Sequence, residues 1–172
     1  CAEDNIQVAN CTQASQIFHL LRRQVHRDQR NPLVVFSPKS LLRAKPARSA
    51  ATELMRGSFR ETIDDPSIAD RSAVRRVVLT SGKIGQEALA AREAAGAPVA
   101  VVRVEQLYPW PYDQLDEVVA GYPNATEIVW LQEEPENMGP WNFVKGRLYE
   151  HFDDSHAIQR VSRDESGSPA TG

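Results

Sequence analysis

"RRVVLTSGKIGQEALAAREAAGAPVAVVRVE", residues 75–105, decides the fold. Val77, Val78 and Leu79 make a short apolar run that stops at the small polar residues Thr80, Ser81 and Gly82. The stretch from Ile84 to Ala95 then reads as a helix, and Gly96 supplies the residue best suited to end it. Val99 to Val104 is apolar nearly throughout, the pattern of a strand with helices over both its faces. Strand, helix and strand in this order predict a βαβ unit with parallel strands.

The same alternation continues downstream. "YPWPYDQLDEVVAGYP" offers a helix carrying Leu115, Val118 and Val119, with Pro111 in its first turn. "TEIVWLQEEP" reads as a strand, "GPWNFVKGRLYEHF" as a helix with Trp141, Val144 and Leu148 on one stripe, and "AIQRVS" as a final strand. The closing "RDESGSPATG" has the composition of a flexible tail. Upstream, residues 44–73 are polar and weakly periodic, with Pro46, Gly57 and Pro66 as breakers, and read as a linker crossing the surface. Before it stand a short strand at residues 6–9 and a helix from "QASQIFHLLRRQVHR" with Thr12 as N-cap. An apolar strand in "NPLVVFSP" follows, whose Val34, Val35 and Phe36 call for an apolar interior. The expected fold is α/β: a three-layer α/β/α unit on a mostly parallel sheet, preceded by the end of another α/β unit.

Composition narrows the function. The 172 residues are 41% hydrophobic and 25% charged, enough for an ordinary core. A net charge of −3 speaks against a dedicated nucleic-acid binder, and no apolar run approaches the ~20 residues that span a membrane. Cys1 and Cys11 suggest neither a disulfide framework nor a zinc site. With no signal-peptide pattern, the expected location is cytoplasmic.

Candidate chemistry gathers at strand exits. Ser81, Gly82 and Lys83 follow a strand and open a helix, the geometry that holds phosphate at a helix N-terminus, but they match neither a Walker loop nor GxGxxG. An ordinary turn capping the helix explains them better on sequence alone. Lys39 and Arg43, four residues apart after the "VVF" strand, could clamp a phosphate or carboxylate, or could be solvated cations where the strand leaves its unit. Glu133, Glu134 and Glu136 lie at the carboxyl end of a strand, where ligand sites of open parallel sheets collect. Without a neighbouring Asp or His they suit an interface or structural role better than a metal. His19, His26, His151 and His156 are scattered and read as surface or half-buried. Tyr108, Trp110 and Tyr112 alternate with proline as in a rigid packed turn. No complete catalytic constellation emerges.

Taken together and in order, "FHLLRRQ", "PLVVFSPKSLLR", "RRVVLTSGK", "VVRVEQLYPWP" and "WLQEEPENMGPW" resemble the C-terminal region of the thiamine-diphosphate-dependent 2-oxoglutarate dehydrogenase first component. They also resemble the related actinobacterial multifunctional 2-oxoglutarate decarboxylases. The resemblance implies the end of a pyrimidine-binding domain at 1–45, a linker at 46–74, a transketolase C-terminal-like domain at 75–163 and a flexible tail at 164–172. It implies a parent homodimer that decarboxylates 2-oxoglutarate with thiamine diphosphate and Mg²⁺ and passes a succinyl group to a lipoyl-acyltransferase. The family's Gly-Asp-Gly metal motif and its final helix are absent from these residues, so the fragment alone is expected to bind no cofactor or metal, to supply no catalytic residue and to be inactive. Lys39, Arg43, Ser81 and Lys83 then become candidates for a nucleotide or acyl-coenzyme A effector site between two units. A stand-alone regulatory module binding such a ligand, or a purely structural interaction domain, are the competing readings.

Overall fold

The computed structural model describes residues 1–28 and 31–168; residues 169–172, the end of the expected tail, lie outside it. Two sheets organise the chain. β1 (Gln7–Asn10) and β2 (Leu33–Phe36) run parallel, joined by helix α1 (Ala14–His26). The chain then passes through two short 3-10 turns (Lys39–Arg43 and Lys45–Ala47), α2 (Ala51–Met55), β3 (Thr62–Ile63) and a further 3-10 turn (Arg71–Ala73). β4 (Arg76–Thr80), α3 (Lys83–Ala95) and β5 (Val99–Val104) form the βαβ unit read from the sequence. After them come β6 (Gln106–Tyr108), α4 (Tyr112–Ala120), β7 (Glu127–Pro135), α5 (Trp141–Phe152) and β8 (Ala157–Arg163).

The larger sheet has the order β3-β5-β4-β7-β8 and is parallel except for β3. Its alternating residues face opposite layers. Val77, Leu79, Ala100, Val102, Ile128 and Trp130 pack with Leu115 and Val119 of α4 and Val144, Leu148 and Phe152 of α5 into the main core. The other face carries Thr80 and Arg103, and α3 lies over it so closely that a Cβ at Gly85 would touch both side chains. Helices on both faces make the three-layer unit, as the apolar strand runs indicated. Gly96 caps α3 at φ 59°, the left-handed position expected of it.

The smaller sheet has the order β2-β1-β6. Leu20 of α1 and Phe59 pack on Ala9, Leu33 and Val35. The opposite face is covered at β1 but open at β2, so the expectation that Val34 and Phe36 lie in an apolar interior is corrected: they are 42% and 52% exposed. β2 is an outer strand of its sheet, and none of the described residues buries that side of it. Thr12 is not the N-cap either; Gln13 occupies that position with no side-chain cap bond. His19 is buried, not superficial, with Nε2 2.7 Å from the Glu53 carbonyl oxygen.

Residues 46–74 do more than connect. β3 pairs antiparallel with β5 as an edge of the larger sheet, and Phe59, Thr62, Ile63 and Asp65 are buried. Asp65 anchors the stretch: its carboxylate accepts Arg92 Nη2 at 2.7 and 2.8 Å and the Val101 amide at 3.0 Å. Arg23 of α1 does the same from the other side, pairing with Glu61 at 2.7 Å and reaching Gln7 and Gln106.

Candidate functional site

The carboxyl ends of β1, β4 and β7 open toward the space between the two sheets, and a cavity of about 440 Å³ lies there. Its wall is formed by Val8, Phe36, Leu107, Tyr108 and Phe143, with Asn10, Ser81 and Glu134 as polar members. Gly82 follows β4 at φ 76°, and the Asn10 side chain rests directly on its backbone, where a Cβ would overlap the amide. That contact fixes how the turn before α3 meets β1. Asn10 Oδ1 and Ser81 Oγ are both shielded from solvent and have no hydrogen-bond partner among the described residues.

A second cavity, of about 510 Å³, lies on the far side of Phe36, between the start of α1 and the 3-10 turns. Ile17, Leu41 and Leu42 give it an apolar wall, and Arg43 and Arg48 supply cations. None of its lining residues is acidic, and both guanidiniums are exposed. This donor set favours an anion attached to an apolar body.

The four candidate effector residues are therefore divided. Arg43 lines the larger cavity and Ser81 the smaller, with Phe36 common to both. Lys39 is exposed and lines neither. Lys83 lines neither also; its ammonium pairs with Glu87 at 3.0 Å, and that hydrogen bond raises its pKa. Arg48, which sequence reading passed over inside a polar stretch, joins Arg43 instead.

Two members of the acidic cluster make contacts that hold the loop after β7. Glu136 pairs with Arg160 at 2.7 Å, and Glu134 packs against Gly139. Gln132 organises the loop: it accepts hydrogen bonds from Trp130 Nε1 and the Trp141 amide and donates to the carbonyls of Pro135 and Met138.

The most deeply buried polar cluster lies where the sheets meet. The chain leaves the larger sheet after β5 and joins the smaller at β6, and Glu105 is the residue between them, fully buried. Its carboxylate accepts the Thr12 amide at 2.8 Å and the Thr12 hydroxyl. Arg103 Nη1 donates to the same hydroxyl at 2.9 Å, so Thr12 bridges a buried cation and a buried anion. Burial pushes the Glu105 carboxyl up to about 7, against the opposing pull of the Thr12 hydrogen bonds and the Arg103 charge, and it lowers the pKa of Arg103.

These donor sets do not fit a magnesium-bound diphosphate. One cavity carries cations and no carboxylate, and Glu134 is the single acid on the other. Among the described residues, no three of His, Cys, Asp and Glu stand together as metal ligands would. Among the described residues no helix is long and apolar enough to cross a membrane.

A three-layer, mostly parallel unit closed onto the last βαβ of another α/β unit is the carboxyl-terminal architecture of a transketolase-like protein. Residues 2–45 match the transketolase pyrimidine binding domain, and residues 48–172 match the 2-oxoglutarate dehydrogenase C-terminal family. The chain belongs to that family. It is 44% identical to a 2-oxoglutarate dehydrogenase E1 component of Cupriavidus necator and 43% identical to one from Coxiella burnetii. It is also 42% identical to a 2-oxoglutarate dehydrogenase E1/E2 component of Corynebacterium glutamicum. Each match takes in all of this chain but only 18%, 19% and 14% of the relative. The resemblance read from the five sequence blocks is thus borne out, as is the fold class.

Proposed function

We propose that this chain is the C-terminal portion of a thiamine-diphosphate-dependent 2-oxoglutarate dehydrogenase or decarboxylase, active in the cytoplasm. It serves as a buttress: it closes the pyrimidine-binding domain, supports a homodimer and leaves thiamine diphosphate, Mg²⁺ and the reacting atoms to the rest of the parent chain. In that parent, 2-oxoglutarate loses carbon dioxide and the succinyl group passes to a lipoyl-acyltransferase.

The observation that carries this reading is the match of the whole chain to less than a fifth of each E1 relative. The open face of β2 supports it. Val34, Phe36 and the neighbouring Leu42 are 42%, 52% and 75% exposed, more large apolar surface than water favours, and the remainder of a parent chain would cover it. The cavity with Arg43 and Arg48 is the proposed seat of a nucleotide or acyl-coenzyme A effector, with Lys39, Ser81 and Lys83 as outlying contributors. Substituting this chain for the equivalent region of the Cupriavidus necator E1 component tests the reading. The chimera should dimerise and decarboxylate 2-oxoglutarate; a folded chimera without that activity would overturn it.

A further inference from the structure

Glu105 joins the two sheets by backbone as well as side chain. Its carbonyl accepts the Asn10 amide at 2.8 Å, and its own amide and that of Gln106 both donate to the Glu61 carbonyl. Thr12, which its carboxylate holds, stands at the entry to α1, and Gln86 of α3 donates to the Thr12 carbonyl at 3.2 Å. The groups facing the carboxyl come from each neighbouring segment: Arg103 from β5, Arg60 from the stretch before β3 and the Cys11 thiol after β1. Asp65 lies beyond Arg103. The thiol, pushed up to about 12 by burial and by Glu105, stays neutral. Among the described residues no cation forms an ion pair with the carboxylate; Arg103 reaches it through the Thr12 hydroxyl.

We propose that the Glu105 carboxyl is a proton-operated latch between the segment that ends at residue 45 and the C-terminal unit, closing more tightly when it takes up a proton and loosening when it loses one. A closed contact strips all water from the carboxyl, and two donors from one threonine replace only part of that solvation. An open contact restores the water. The proton therefore binds more strongly to the closed form, and by linkage protonation favours closure. With the closed form titrating near 7 and the exposed group near 4.5, the closing equilibrium gains about tenfold between pH 8 and pH 6. The gain levels off below about pH 4.5 and is lost as pH rises through 7.

Hydrogen exchange of the Thr12 and Asn10 amides, which donate to Glu105, reads the latch in the full chain. With rates corrected for intrinsic exchange at each pH, protection should rise about tenfold from pH 8 to pH 6 and become flat in Glu105→Gln. Protection that ignores pH, or that varies equally in the Gln variant, would overturn the proposal. Direct titration of the ¹³C-labelled Glu105 carboxyl decides the matter even if that variant fails to fold. A midpoint near 7 supports the latch, and one below 5 removes it.

Discussion

Replacing Thr12 with Val removes one oxygen and leaves the side chain's shape unchanged, yet that oxygen hydrogen-bonds two buried ionisable groups at once. Its hydrogen goes to Glu105 and its lone pair receives Arg103. Each lost hydrogen bond to a charged group costs about 1.5–3 kcal/mol, and buried pairs broken on one side typically cost about 3–5 kcal/mol in all. The same range is expected for Thr12→Val, a large share of a typical stability of about 5–15 kcal/mol. For a chain of this size the midpoint of thermal unfolding should fall by about 6–20 °C. Thr12→Ser keeps the hydroxyl and should stay within about 1 kcal/mol of the parent sequence, which separates the bridge from mere packing. Urea unfolding followed through the buried Trp110 and Trp130 reports the difference. Equal stability of the Val and Ser variants would refute the bridge.

Gly82→Ala meets both a backbone conformation nearly reserved for glycine and the Asn10 amide, and should cost about 3 kcal/mol or more, whereas Gly96→Ala, with nothing near its Cβ position, should cost about 1–2 kcal/mol; chemical unfolding of the pair measures the contrast. Phe36→Ser with Leu42→Ser should raise the solubility of the isolated chain with little loss of melting temperature, because both side chains are more than half exposed; unchanged aggregation in light scattering would mean that the open β2 face is not what associates. In the full-length parent, Arg43→Ala should weaken acetyl-coenzyme A or AMP binding by tenfold or more in calorimetry, while Lys83→Ala, whose charge is already engaged by Glu87, should change it less than threefold; unaltered affinity in the Arg43 variant would remove the effector site from this cavity.

What the sequence shows and what it hides follow from the range of the forces involved. Strands β4, β5 and β7 declare themselves because burial on both faces demands an unbroken apolar run, and their helices carry caps or apolar stripes that belong to the local chain. The break at Glu105 is hidden inside such a run. "VAVVRVEQLY" looks like one strand, and only the pairing of Gln106–Tyr108 with β1, about a hundred residues away, divides it between two sheets. β3 is two residues long and leaves no periodicity to detect. Thr12 has the composition of a cap, and its true partner lies 93 positions downstream. The reverse holds at β2: its apolar residues announce burial, but none of the described residues covers Val34 and Phe36. Of the site, Arg43 and Ser81 were legible as groups at strand exits. That they face different cavities, and that Arg48 accompanies Arg43, depends on how the 3-10 turns fold back.

Whether these residues support a reaction centre or contain one is decided most directly by carbon dioxide release. The purified chain, given 2-oxoglutarate labelled at its first carbon together with thiamine diphosphate and Mg²⁺, should liberate no more label than a protein-free blank. Sustained turnover from the 172 residues alone would show that the chemistry resides here after all.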